Sequence, residues 1–167
     1  MKKGLVVSDS GPVFSLAIID KLWVLDSLFE EIFIPKAVWL ELTKDKSSEH
    51  YPKINEYFQN KVKEISGFNE LTFIMDFGES ESVLLFKELN ADYLLIDDKK
   101  ARDIAENLGI QCIGTIGVLS IAKERGQIKE LRPLFESFLQ KKRFYSLKLL
   151  NGILLKYDER EIEIKPG

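Results

Sequence analysis

Short apolar runs punctuate the chain, each ending at a turn that opens a helical pattern, and this alternation constrains the fold more than any other feature. Gly4 to Ser8 reads as a short buried strand, and Asp9-Ser10-Gly11-Pro12 as a turn into a helix ending near Ile19. A helical piece through Leu22, Trp23, Leu25, Leu28 and Phe29 precedes the β-branched run Ile32-Phe33-Ile34, which stops at Pro35 before a helix from Lys36 to about Thr43. The polar stretch 44–67 is read as a helix near Ile54 to Gln59 and an alternating strand from Val62 to Ile65. A helix after Asp76 runs to Asn90. The strand Tyr93 to Ile96 follows, then a helix from Lys99 to Leu108 closed by Gly109, the strand Ile110 to Ile113, and a helix from Gly114-Thr115-Ile116-Gly117 to Gly126. Further helices are expected at 129–140 and 147–157. Strands separated by helices and joined by short turns imply an α/β fold, with a central, mostly parallel sheet covered on both faces.

A chain of 167 residues with 45% hydrophobic content suits one globular domain, expected over residues 1–157, with 158–167 as a charged tail. The first apolar run is too short for a signal peptide and no segment approaches a membrane span, so a cytoplasmic protein without membrane contact is expected. The one cysteine, Cys112, lies in an apolar run and reads as a small core residue, which excludes disulfides and a cysteine-based zinc site. The one histidine, His50, stands in a charged stretch and reads as a solvated surface residue, which excludes chemistry needing two histidines. A net charge of −3 argues against wholesale coating of nucleic acid, yet leaves room for a local basic patch beside an acidic site.

The acids carry the chemical signal. Asp97 and Asp98 are adjacent carboxylates where a strand hands over to a helix, and capping that helix accounts for only one of them. Asp9 follows the first strand, at the end where open α/β sheets bind ligands. Glu41 falls on the apolar side of its helix, and an inward carboxylate must be hydrogen-bonded, paired or bound to metal. Glu79 and Glu81 lie about 200° apart around a helix axis. The apolar residues lean slightly toward Glu79, while acid enrichment in a first helical turn accounts for either one taken alone. A cluster of three or more carboxylates without histidine or cysteine suits hard cations such as Mg²⁺ or Mn²⁺, and such sites act on phosphate esters. Lys99, Lys100 and Arg102 adjoin the acids, with Lys123, Arg125, Arg132, Lys141, Lys142 and Arg143 further along; a solvated helix face accounts for any one of these cations. The turn after the first strand lacks the acid pair of a phosphoacceptor receiver, the Gly-x-Gly-x-x-Gly of a dinucleotide-binding fold and the second aspartate of an aspartyl phosphatase.

Four motifs, taken in order and spacing, resemble the PIN-domain family: Val6-Val7-Ser8-Asp9-Ser10-Gly11-Pro12, Ile34-Pro35-Lys36-Ala37-Val38-Trp39-Leu40-Glu41-Leu42, Gly78-Glu79-Ser80-Glu81-Ser82 and Leu94-Leu95-Ile96-Asp97-Asp98-Lys99-Lys100-Ala101-Arg102. With Gly114-Thr115-Ile116-Gly117-Val118-Leu119 the likeness narrows to the DUF3368-like prokaryotic branch. The resemblance implies a PIN-like three-layer fold and an acidic site holding Mg²⁺ or Mn²⁺ that cleaves RNA as an endonuclease. Many relatives are VapC-type toxins, so an antitoxin partner and a homodimer are expected. Carried over by position, Asp9 matches the first family acid and Glu41 the second. Glu81 matches the third better than Glu79, and Asp98 or Asp97 matches the later acid according to the alignment used. Ile96 replaces a hydroxyl residue of many relatives, a role Ser10 and Thr115 can take. Asp9, Glu41, Glu81 and Asp98 are thus the expected catalytic acids; Glu79 and Asp97 join them as metal ligands; Ser10, Lys99, Lys100, Arg102 and Thr115 are the expected substrate contacts. The competing expectation is a catalytically silent PIN-like module for RNA binding or partner docking, with Phe135, Phe138, Phe144, Tyr145, Leu149 and Leu150 supplying an interface.

Overall fold

A computed structural model describes residues 1–143 and 145–165; Phe144, one of the expected interface residues, falls outside them. Residues 1–115 form one compact unit. It contains β1 (Lys3–Ser8), α1 (Ser10–Ile18), α2 (Trp23–Leu28), β2 (Phe29–Pro35), α3 (Lys36–Leu42), α4 (Tyr51–Phe58) and β3 (Val62–Lys63). After a 3-10 turn (Glu70–Phe73) come α5 (Phe77–Glu88), β4 (Tyr93–Leu95), α6 (Lys99–Asn107) and β5 (Cys112–Ile113). The second unit, residues 116–167, carries α7 (Thr115–Glu124) beyond its first residue, then α8 (Arg132–Gln140) and α9 (Leu147–Lys156). Among the described residues no helix is long and apolar enough to cross a membrane.

The sheet has the order β3-β2-β1-β4-β5 and every pairing is parallel, as the strand–helix alternation requires. Register and side-chain alternation agree. Val7 pairs with Phe33 on one side and Leu94 on the other, and these, with Leu5, Ile96 and Cys112, face a core completed by Val83 and Leu85 of α5 and Ala101 and Ala105 of α6. Val6, Ile32, Ile34 and Leu95 point to the opposite face and are buried as well. Both faces are therefore covered, the condition under which parallel sheets persist and the reason their strands read as continuous apolar runs.

Several boundaries differ from the sequence reading, each for a local physical reason. Phe29 begins β2 instead of ending a helix, because residues 29–33 pair with β1 from Lys3 onward. The strand expected over Ile110 to Ile113 shrinks to two residues. Gly109 takes φ +82°, its N–H donates to Glu106, and the Ile110 N–H reaches back to the Ala105 carbonyl, so Ile110 closes α6 as the apolar residue of a Schellman turn. The strand of 62–65 keeps only Val62–Lys63, and the 3-10 turn at Glu70–Phe73 had no counterpart in the periodicity.

Candidate functional site

β1 and β4 end side by side, and the Asp9 N–H donates to the Leu95 carbonyl at 2.9 Å, so Asp9 leaves the sheet beside the Ile96-Asp97 turn. It occupies the N-cap of α1 without a capping bond from its side chain and is only 6% exposed. One residue on, Ser10 Oγ donates to Glu41 Oε1 at 3.0 Å, tying α1 to α3. Glu41 itself is exposed, not buried as its apolar helix neighbours suggested; the helical net chose the correct side, but that side borders an open cleft.

The first turn of α5 approaches this pair through Gly78. A Cβ there would lie 2.9 Å from Glu41 Oε2 and 3.7 Å from Asp9 Oδ1, so the missing side chain is what lets the helix start against both carboxylates. Asp76 and Glu79 form a reciprocal capping box, with Glu79 Oε2 accepting the Asp76 N–H at 3.3 Å. Across the cleft, Asp97 is held by Thr115, whose N–H donates to Oδ1 and whose hydroxyl donates to Oδ2, both at 2.7 Å. Asp98 is the N-cap of α6 and accepts the Ala101 N–H at 2.9 Å, which makes it the member of the pair that helix capping explains.

These acids act on one another. Burial pushes the Asp9 pKa from 3.8 up to about 7; the neighbouring Ser10 N–H opposes the rise, and Glu79, Glu41 and Asp97 reinforce it by repulsion. Burial also raises Glu79, with the Asp76 N–H lowering it and Asp98, Asp76 and Glu41 adding to the rise. The strongest charges acting on Asp9 are thus all carboxylates. Glu81 is placed differently: 6% exposed, its Oε2 accepts the Ala37 N–H at 3.0 Å in the first turn of α3, and its charge reaches Lys36. The periodicity argument, which leaned to Glu79, picked the glutamate beside Asp9.

The expected substrate contacts divide. Ser10 and Thr115 spend their hydroxyls on Glu41 and Asp97. Arg102 Nη2 donates to the Asp97 backbone carbonyl at 2.9 Å, and Lys99 pairs with Asp103. Lys100 is exposed and lines a cleft with Glu79 and Asp98. In the second unit Lys123 pairs with Glu159 at 2.8 Å and Arg132 with Glu136, so both belong to structural ion pairs. His50 is not a freely solvated residue: its ring is largely buried, with Nε2 3.2 Å from Glu49. Cys112 is half-buried on the edge strand β5, where burial pushes its thiol up to about 11. Of the expected interface residues, Phe135, Phe138 and Leu150 are fully buried, and of those described Leu149 alone is well exposed. Sequence reasoning passed over Gly78 as a site residue, although a glycine inside the first turn of a helix is itself a signal of close approach.

Among the described residues no three of these groups are gathered as a ready-made cation site. The donor chemistry nevertheless fits a hard divalent ion: every side-chain donor is a carboxylate or hydroxyl oxygen, and the repulsion on Asp9 is of the kind a cation relieves. A family profile described as DUF3368, a PIN domain, matches residues 5–159. No curated protein gives a significant match. PIN domains are generally nucleases that use divalent metals. With the match covering nearly all of its length, from within β1 to beyond α9, the chain belongs to the PIN-domain family.

Proposed function

We propose that this protein is a divalent-metal-dependent endoribonuclease whose site lies at the carboxyl ends of β1 and β4. The observation that carries the reading is Asp9, a buried acid at a strand end whose strongest charged neighbours are three further acids. A protein keeps such repulsion where a cation is to be bound. Asp9, Glu41, Glu79, Asp97 and Asp98 are the residues that would hold Mg²⁺ or Mn²⁺; Glu81 instead fixes the N-terminus of α3, the helix that presents Glu41. When bound, the ion supplies Lewis acidity that lowers the pKa of a water and stabilises charge on the phosphodiester. The chain supplies orientation: Ser10 sets the Glu41 carboxylate, Thr115 grips both oxygens of Asp97, and Arg102 pins the backbone of that turn. Lys100, exposed beside Glu79 and Asp98, is the cation available to a phosphate.

The finer role, a toxin restrained by an antitoxin, is supported by the VapC-type likeness of the motifs. Incubation of the purified chain with a mixed RNA pool is the test. Cleavage in Mg²⁺ or Mn²⁺ and its loss in EDTA is expected, whereas RNA binding without turnover in either ion overturns the reading in favour of a silent module. Growth arrest on expression, relieved by a neighbouring gene product, is the expected sign of the toxin role.

A further inference from the structure

A second cavity lies at the end of α1 remote from the acidic cluster. The helix begins at Ser10, beside Asp9, and its last residue, Ile18, stands roughly 12 Å farther along the axis. There the end of α1, the start of α2 and one side of α4 bound a space of about 520 Å³. Small-molecule sites occupy roughly 300–1,000 Å³ and join apolar walls to a few polar groups.

The walls are of that kind. Trp23 is 45% exposed, although Val24, Leu25 and Leu28 of the same helix are buried. Lys21, which does not line the cavity, stands over one face of the indole at 5.6 Å from the ring centroid, so the other face is the one left to the cavity. Opposite in character is Lys61, which does line it. Its ammonium sits 4.4 Å from the Tyr57 ring centroid and donates to the Tyr57 carbonyl at 3.1 Å, and no carboxylate answers it among the described residues. Lys53 is spent, donating to the Ala17 carbonyl at 3.4 Å and pairing with Asp20. Glu56, one turn along α4 from Lys53, is an exposed lining residue that no cation answers among the described residues.

An exposed lysine, tryptophan or glutamate taken singly needs no ligand. Joined in one cavity, they call for three features in one occupant: an anion for Lys61, a flat π-surface for Trp23 and a hydrogen-bond donor for Glu56. An aromatic carboxylate supplies the first two and brings nothing to Glu56. A nucleotide supplies all three, as phosphate, base, and ribose hydroxyl or base amine. We infer that this cavity is a mononucleotide site, with the base on Trp23, the phosphate on Lys61 and a hydroxyl or amine on Glu56. The volume suits one nucleotide and not a strand. The site goes beyond the nuclease reading and does not rest on it: it shares no residue with the acidic cluster and calls for no metal ion.

Calorimetric titration of the whole protein with AMP in EDTA is the test, since without a divalent ion the acidic cluster repels a phosphate. One AMP should bind per chain and quench tryptophan emission, and Asp9→Asn should bind it as wild type does. Trp23→Ala should weaken AMP about tenfold, and Trp23→Phe should recover most of the affinity without the quenching. Lys61→Met should weaken AMP about tenfold while leaving adenosine binding unchanged. Trp23 and Lys61 lie outside the buried core, so wild-type unfolding curves are expected; should Trp23→Ala unfold, Trp23→Phe and Lys61→Met still decide. No binding of AMP by wild type, or unchanged AMP affinity in Lys61→Met or in folded Trp23→Ala, overturns the proposal. Indole-3-acetate binding as tightly as AMP overturns it in favour of an aromatic acid, and a short RNA that binds in EDTA where AMP does not overturns it in favour of a strand. None of these arms reads cleavage, so failure of the nuclease reading leaves the site standing.

Discussion

The two units handle carboxylates in opposite ways. In the second, Glu159 accepts the Leu131 and Arg132 N–H groups and pairs with Lys123; burial alone would raise its pKa, but these donors and the ammonium together hold it below the usual glutamate range. Glu136 is matched by Arg132 and Glu124 by Lys156 and Tyr157. In the first unit Asp9 is far more deeply buried than Glu159, and burial and three acidic neighbours drive it upward. The same chemical group is a fastening where its charge is answered and a source of stored repulsion where it is not. Stability governs the first arrangement, whereas the second is the repulsion that the proposed cation would relieve.

The contrast is broken most severely by Asp9→Asn. Removing this charge should cut metal-dependent cleavage about a thousandfold, several kcal/mol of transition-state stabilisation, as measured on purified variant and wild type with the same RNA. Full activity in the variant would end the site assignment.

The pH dependence of stability reads the same residue without any ion. Below about pH 4 Asp9 is protonated in both folded and unfolded chains and contributes nothing. Between its ordinary pKa of 3.8 and its folded value of about 7 only the unfolded chain releases the proton, so the folded state loses stability as pH rises, reaching a full cost above 7. The upper bound on that loss is about 4 kcal/mol. Urea unfolding of metal-free protein at pH 5 and pH 8 should show the fall, Asp9→Asn should flatten it, and added Mn²⁺ should restore stability at pH 8. A metal-free profile identical in wild type and Asp9→Asn would show that the charge is not stored.

Gly78→Ala tests the close approach. Its new methyl would stand 2.9 Å from Glu41 Oε2, so cleavage should fall about a hundredfold through displacement of that carboxylate, while thermal unfolding stays near wild type because alanine suits a helix better than glycine. On the other side of the comparison, Glu159→Ala strips two backbone N–H groups and Lys123 of their partner. It should cost about 2 kcal/mol in denaturant unfolding, and an unchanged midpoint would mean that the answered charge is not a fastening. The mildest change, Thr115→Val, removes one of the two bonds on Asp97 and should reduce cleavage about tenfold and metal affinity in proportion, as measured by calorimetry.

Much of the fold was legible because each strand is short, apolar and followed by a helix, a pattern that allows parallel pairing and little else. Where reading failed, tertiary pairing or a capping motif had overruled the local pattern. Glu30 and Glu31 break the apolar run ahead of Ile32, so residues 29–31 show no strand signal until β1 pairs with them. The apolar Ile110 resembles the strand it precedes until its N–H is seen closing α6. Within the candidate site, residue types and strand ends were readable, which is why Asp9, Glu41 and the 97–98 pair stand out as candidates. The choice between Glu79 and Glu81 was not, since it depends on α5 having its N-cap at Asp76 and on how α5 meets α3, both decided by packing. Nor could the sequence show that the Ser10 and Thr115 hydroxyls donate to Glu41 and Asp97.

The capping box at the head of α5 gives Glu79 two allegiances. One of its oxygens accepts the Asp76 N–H and closes the helix end, while its charge belongs to the acidic cluster. An ion that drew this carboxylate inward would loosen the hydrogen bond it now makes, so filling the site and fraying the helix are linked equilibria. Amide exchange at Asp76 would then act as an occupancy gauge, faster when the site is filled. The linkage runs both ways: whatever tightens the start of α5 alters how readily the ion is taken up.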